Sequence, residues 1–331
     1  MQDIYAIAEK QKQALLARER RASVELVSAY GRVYQRIQAR VAALTAQIEE
    51  ARGKGEIVSS SFLYERDRLS NLQIDIEREM RRFSVFATAR VTSEQRVAVE
   101  AAATDAQRLV GASLERSGAS VGLQLARLSS SAVERMVGFS GDGSPLRTLF
   151  ERIAPQMAKR ITTELVSGVA EGAGVRVIAA RIRERSGVGL ARALLISRNE
   201  VTRAYREVSH STFHASGDVL EGWHWSCSLS GRTCAMCIAM HGRIFPLSQK
   251  LRSHPGCRCV PVPLTKGSEP PKSGEEWLRE QEAGVQREIL GDGKYAAFRD
   301  GKFQLEDLVG VRHDPQWGTT RYERSLKDML A

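Results

Sequence analysis

The sequence predicts a mainly α fold: a long N-terminal helical hairpin, a helical core with a small α+β knuckle, and a docked C-terminal tail. Three observations carry this expectation. Apolar residues recur at three- and four-residue steps through the first hundred positions, the period of one helical face. Gly53-Lys54-Gly55 interrupts that pattern once, and glycine in series is a poor helix former. Four of the five cysteines then fall in two close pairs, Cys234-x-x-Cys237 and Cys257-x-Cys259. Three consecutive segments follow: an arm over 1–140, a core over 141–264, and a linker with tail over 265–331.

The first helix runs from about residue 2 to Arg52, with Tyr34, Ile37, Val41, Leu44 and Ile48 on one stripe. Ser59, Ser60 or Ser61 can cap the next helix, which carries Leu69, Leu72, Ile76, Met80 and Phe83. Two such helices around a short glycine turn form an antiparallel hairpin. The stripes read first as core, and otherwise as a contact with another copy. Thr92 to Leu114 continues as helix, and glycine and serine thicken through Ser117–Ser120 and Gly138–Pro145, which places a boundary near Gly141.

Pro155 fits a first helical turn, followed by Met157, Ile161, Leu165 and Val169 at steps of four. Val175 to Glu184 reads as a short basic helix, Gly187-Val188-Gly189 as a turn, and Leu190 to Ala215 as the last core helix. Val219 to Cys227, with Trp223 and Trp225, alternates as a strand does. Arg243–Phe245 and Cys259–Val262 are further short strands. The linker TKGSEPPKSG leads to a tail in which Tyr295, Phe298, Phe303, Leu305, Leu308 and Val309 supply apolar surface for docking.

Thiolates are soft donors, and four tetrahedral nitrogen and sulfur ligands hold zinc well. Two close cysteine pairs about twenty residues apart are the usual form of a closed structural site. Cys234 and Cys237 are the firm ligands; His254, Cys257 and Cys259 compete for the other two places. Disulfides need an oxidising compartment, and a redox C-x-x-C leaves the second pair unexplained. Cys227 reads as a small buried residue.

The formal net charge of +10 is concentrated. Gly174 to Arg206 holds eight arginines against two glutamates, and Gly222 to Ser268 holds six Lys or Arg with no carboxylate. Such a belt suits a polyanion, an acidic protein or plain solvent. No apolar run reaches the roughly 18 residues of a membrane span, so no membrane partner is expected. The opening MQDIYAIAEKQK lacks the form of a secretory signal, and a reducing cytoplasm is expected. No G-x-x-x-x-G-K-[ST] loop or G-x-S-x-G elbow is present, and no enzymatic activity is expected. His210 and His214 stand i, i+4 without the glutamate of H-E-x-x-H, and His241 reads as structural. The enzymatic alternative is a zinc-containing DNA-binding protein or an HNH-like nuclease.

The run Leu195–Val201 contains Arg198, Asn199 and Glu200. After it come Trp223 and Trp225, a C-x-x-C preceded by Arg232, the pair His241-Gly242, and His254-Pro-Gly-Cys-Arg-Cys259. In this order the motifs resemble the phage Mu F-like minor head proteins, a head morphogenesis family of tailed bacteriophages. Asn199 stands where threonine is usual. The resemblance covers about residues 150 to 330, including the tail from Trp277. It implies a low-copy head component in the virion, assembled in the host cytoplasm at the portal vertex. Its implied partners are the portal protein and major capsid or scaffold protein, with non-specific DNA contact. Arg198, Glu200, Trp223 and Trp225 would be structural or partner-binding, Arg198 and Glu200 tying their helix to the knuckle or tail.

Overall fold

The computed structural model describes residues 4–116, 136–268 and 271–330. The expected serine-rich boundary at 117–120 and two linker residues, 269 and 270, lie outside the described residues. The chain is mainly helical, as expected. Helix α1 spans Ile4–Gly53, α2 Ser60–Tyr64 and α3 Arg68–Arg116, with a 3-10 turn at Glu65–Asp67. Helix α1 ends at the glycine break, and Gly55 adopts φ +77°, open to glycine without a side-chain penalty. Ser59 caps α2, its hydroxyl accepting from the Ser61 amide at 3.3 Å. The stretch from Thr92 continues α3 rather than starting a helix of its own.

The chain forms two compact units interleaved along the sequence. One comprises Met1–Arg18, Gln95–Val137 and Asn199–Ala331; the other Glu19–Glu94 and Gly138–Arg198. The three consecutive segments expected from composition therefore do not coincide with these units.

The unit built on Glu19–Glu94 and Gly138–Arg198 holds the hairpin of α1 and α3. Arg36 pairs with Glu79 at 2.5 Å, Arg40 with Asp75 at 3.4 Å and Arg90 with Glu25 at 2.6 Å. Each partner number falls by as much as the other rises, the register of an antiparallel pair. Ile37, Val41, Leu44 and Ile48 face Leu72, Ile76, Met80 and Phe83 in the buried set of this unit. Helices α4 (Leu146–Glu151) and α5 (Ile153–Ala170) add Phe150, Met157, Ile161, Leu165 and Val169.

Helix α6 is continuous from Val175 to Ala215. Gly187 and Gly189, expected to turn the chain, lie inside it. A glycine there costs about 1 kcal/mol of helix propensity, but packing explains Gly189. A β-carbon on it would lie 2.8 Å from Tyr30 Oη and 2.9 Å from Met157 Sδ. The Tyr30 hydroxyl donates to the Ser186 carbonyl at 2.6 Å. Close approach, rather than a turn, accounts for the residue.

The other unit holds a three-stranded antiparallel sheet in the order β2-β1-β3, from β1 (Leu220–Ser226), β2 (Ile244–Phe245) and β3 (Val260–Thr265). Helix α7 (Ala235–Met240) lies between β1 and β2 in the chain and is buried throughout. Beyond the linker come α8 (Gly274–Arg279), α9 (Ala283–Arg299), the hairpin β4 (Val309–Asp314) and β5 (Gly318–Glu323), and α10 (Leu326–Leu330). The β4–β5 hairpin is not anticipated by the sequence reading. Ser273 starts α8 with a reciprocal capping box to Glu276. Leu278, Phe298, Phe303, Leu305 and Leu308 join Met236 and Ile238 in one core, so the tail docks on α7.

That docking depends on Gly274. Its amide donates to the His241 carbonyl at 3.0 Å, and a β-carbon on it would lie 1.8 Å from the Ile238 carbonyl oxygen. A backbone oxygen cannot rotate away as a side chain can. Gly274→Ala is expected to cost about 1–3 kcal/mol by overpacking and to loosen the tail. Thermal unfolding with limited proteolysis of the tail checks this; an unchanged melting temperature and digestion pattern would contradict it.

Candidate metal centre

Strand β1 is the platform. Trp223 pairs in register with Phe245, and Ser226 with Val260. Both tryptophans are fully buried. The Trp223 ring stacks on Phe245 at 4.6 Å between centroids, and its indole N–H donates to the Gln249 carbonyl at 2.8 Å.

Two local structures bring the donors together. Cys234 directly precedes α7, and the Ile238 amide donates to its carbonyl at 3.1 Å. Three residues on, Cys237 projects from the same side of that first turn. The second structure is His254-Pro255-Gly256-Cys257. The Cys257 amide donates to the His254 carbonyl at 3.2 Å, and Gly256 adopts φ +78°. Proline second and a left-handed glycine third is the residue pattern of a type II turn.

The thiol of Cys234 lies 3.5 Å from His254 Nε2, that of Cys237 3.3 Å from the same nitrogen, and Cys237 Sγ 3.8 Å from Cys257 Sγ. For tetrahedral ligands at the usual zinc distances, sulfur–sulfur edges are about 3.8 Å and sulfur–nitrogen edges about 3.6 Å. The donor spacing therefore fits an ion of this size. Two overlapping triads can be drawn, Cys234–Cys237–His254 and Cys237–Cys257–Cys259, each with donor atoms within 4.8 Å of one another. Among the described residues, this cluster could hold a metal ion.

Neighbouring thiols hold Cys237, and burial holds Cys259, well above their ordinary values, while the thiols of Cys234 and Cys257 are drawn down. A hydrogen bond from Cys237 draws the Cys234 thiol down to about 5. Cys257 falls well below its ordinary value: burial opposes this, but bonds from Cys237 and Cys259 and the charge of Arg206 outweigh it. Burial opposes a charge on His254 too, yet contacts with Cys234 and Cys257 raise it to about 10. A site that holds a proton so firmly is rich in negative charge, and a divalent cation can take the proton's place. His254 Nδ1 lies 2.9 Å from the Pro255 carbonyl, which fixes that nitrogen as the donor and leaves Nε2 free to ligate.

Cys259 has a second neighbour. Its amide donates to Cys257 Sγ at 3.4 Å, while its own thiol bonds with that of Cys227, pulling Cys227 down to about 6. Cys227 is buried.

Arg206 on α6 is the supporting residue that sequence reasoning missed. Its Nε donates to the Cys259 carbonyl at 2.9 Å and its Nη2 to the Cys257 carbonyl at 3.0 Å. In the sequence it is one of eight arginines in a basic helix and carries no motif. Arg198 instead meets Glu19 of α1 at 3.0 Å, and that glutamate is buried. Glu200 is buried and accepts from Arg203 at 2.8 Å and from Asn199 at 3.1 Å. His210 bonds with the Gln249 carbonyl at 2.8 Å, and His241 Nδ1 accepts from the Cys227 amide at 3.1 Å.

A thiol–imidazole cluster on a small sheet, braced by a long helix, defines a helical protein with a knuckle that could hold a metal ion. The sequence model of the family described as Phage Mu protein F like protein matches residues 159–262. Over that span the chain is similar to the phage Mu F-like family, the head morphogenesis family that its motifs resemble. The matched span is just under a third of the chain and encloses Arg198, Glu200, both tryptophans and all five candidate donors. The tail lies outside it. No curated protein and no solved structure matches the chain.

Arg206→Lys keeps the charge but loses the fork that spans two carbonyls. It is expected to weaken metal binding by about tenfold to a hundredfold, whereas Cys259→Ala leaves one metal per chain. Cobalt titration followed by its absorption bands checks both; equal affinities for wild type and Arg206→Lys would contradict the bracing role.

Proposed function

We propose that this chain is a minor head protein of a tailed bacteriophage or prophage, acting in head morphogenesis at the portal vertex. The observation that carries the reading is the match of residues 159–262, which contains the whole knuckle. The portal protein and the major capsid or scaffold protein are its proposed partners, and packaged DNA a non-specific one. The N-terminal helices offer a surface for self-association. Its proposed place is the virion, after assembly in the host cytoplasm.

The proposed cofactor is one structural zinc, held by Cys234, Cys237, His254 and Cys257. The contacts of Cys237 with both His254 and Cys257 and the fixed His254 tautomer support that set, and the second contact of Cys259 with Cys227 supports leaving Cys259 out. Four protein ligands leave no open position for substrate, so the reading is of an assembly protein and not an enzyme. Zinc would tie α7 to the 254–257 turn and couple metal binding to folding of the knuckle. A nuclease would need a further histidine set, and the engagement of His210 and His241 within the fold supports the assembly reading.

Mass spectrometry of purified heads, with and without Cys237→Ser, tests the proposal. The wild-type chain is expected in heads at low copy, and the variant to be made but left out of them. Infectious heads of normal composition assembled without the chain would overturn it.

A further inference from the structure

Residues 248–252 and the β4–β5 hairpin line a groove whose walls include Lys250, Arg252, Val311, Thr319 and Arg321. The loop is fixed from several sides. The Gln249 carbonyl takes bonds from Trp223 and His210, Lys250 pairs with Glu207, and Arg321 donates to the Arg252 carbonyl. The Arg321 guanidinium carbon stands 5.5 Å from the Trp225 ring centre and 5.8 Å from that of Phe245, within the range of cation–π attraction.

Arg321 is half-buried and has no carboxylate partner among the described residues. Burial and the neighbouring charge of Arg243 lower its affinity for its proton. Arg252 at the rim is exposed and likewise has no carboxylate partner among them. Lys250 and Arg243 are each balanced by one glutamate, Glu207 and Glu306, so the groove keeps the charge of two arginines. The carboxylate-free span Gly222–Ser268 supplies one of its walls. Two guanidiniums without a carboxylate partner among the described residues therefore line one groove, that of Arg321 held against the Arg252 carbonyl.

We propose that this groove is a phosphate subsite for a nucleic-acid backbone, contacted by Arg321 and Arg252. A protein occupant would call for an apolar anchor pocket, and the aromatic rings here lie behind Arg321. Backbone binding needs only placed cations, and the arginine fork matches phosphate oxygens. The inference deepens the proposed DNA contact and rests on it for the identity of the occupant.

The test is fluorescence polarisation of a labelled DNA duplex with the full chain across a salt series. Wild type is compared with Arg252→Gln, Arg321→Gln and their double variant, and with Arg20→Gln/Arg21→Gln, two exposed arginines of α1 far along the chain from the groove. Each groove substitution is expected to make the slope of log affinity against log salt shallower by about one. The double variant should bind about tenfold or more weakly at low salt, and the α1 variant should match wild type. Arg252 is exposed, so its single variant remains informative if Arg321→Gln unfolds. Wild-type binding that the groove variants leave unchanged, or that the α1 variant reduces equally, overturns the groove and leaves DNA contact standing. Absence of wild-type binding overturns the DNA contact itself. A labelled polyglutamate chain whose binding alone is lost in the double variant would replace phosphate by an acidic protein.

Discussion

The Cys237 thiol lies 3.3 Å from His254 Nε2 and 3.8 Å from Cys257 Sγ, and the Cys234 thiol 3.5 Å from the same nitrogen, so thiolates formed here would crowd one another. Buried thiolates repel unless a proton or cation lies among them. Here His254 holds the compensating proton up to about 10, and a metal ion would serve the same purpose better. Much of the surrounding unit depends on this point. Helix α7 begins at Cys234 and carries Cys237; the type II turn presents His254 and Cys257; Arg206 holds the carbonyls that follow. The tail packs into the same core as α7 through Leu278, Leu305 and Leu308. Loss of the cluster would release the short helix on which the tail rests.

The hairpin unit is held differently. Its interhelical ion pairs are partly exposed, and such pairs contribute roughly 0–1 kcal/mol each. Burial of one large aliphatic side chain contributes about 1.5–3 kcal/mol. The stripes from Ile37 to Ile48 and from Leu72 to Phe83 therefore provide most of the stability. The ion pairs chiefly fix register. The buried Glu19, paired with Arg198, is the exception: a charge taken out of water must be matched, and removing either partner would leave the other stranded.

What could be read from the sequence follows from range. Helix stripes, the glycine break, the Ser59 cap and the β1 strand rest on local periodicity and backbone preference, and they are present. The turn expected at Gly187 and Gly189 is absent, because Gly189 answers to Tyr30, more than 150 positions away, and no local pattern encodes that contact. Composition likewise proposes consecutive segments where the fold interleaves them. For the site, the cysteine spacing and the His-Pro-x-Cys motif pointed to all five residues of the two triads that could hold a metal, since two short local structures present most of them. Which of Cys257 and Cys259 stands nearer His254 was not legible, because the two are only two positions apart in the same short stretch. Arg206 was hidden among similar arginines, its role fixed by α6 meeting the knuckle.

X-ray absorption at the zinc edge of the purified full chain tests the central claim most directly. The account predicts one zinc per chain, with three sulfurs at about 2.3 Å and one nitrogen at about 2.0–2.1 Å. Four sulfur neighbours would put Cys259 in place of His254 and contradict the proposed set. A freshly reduced protein that takes up no zinc would contradict the cluster as the organising point of this unit.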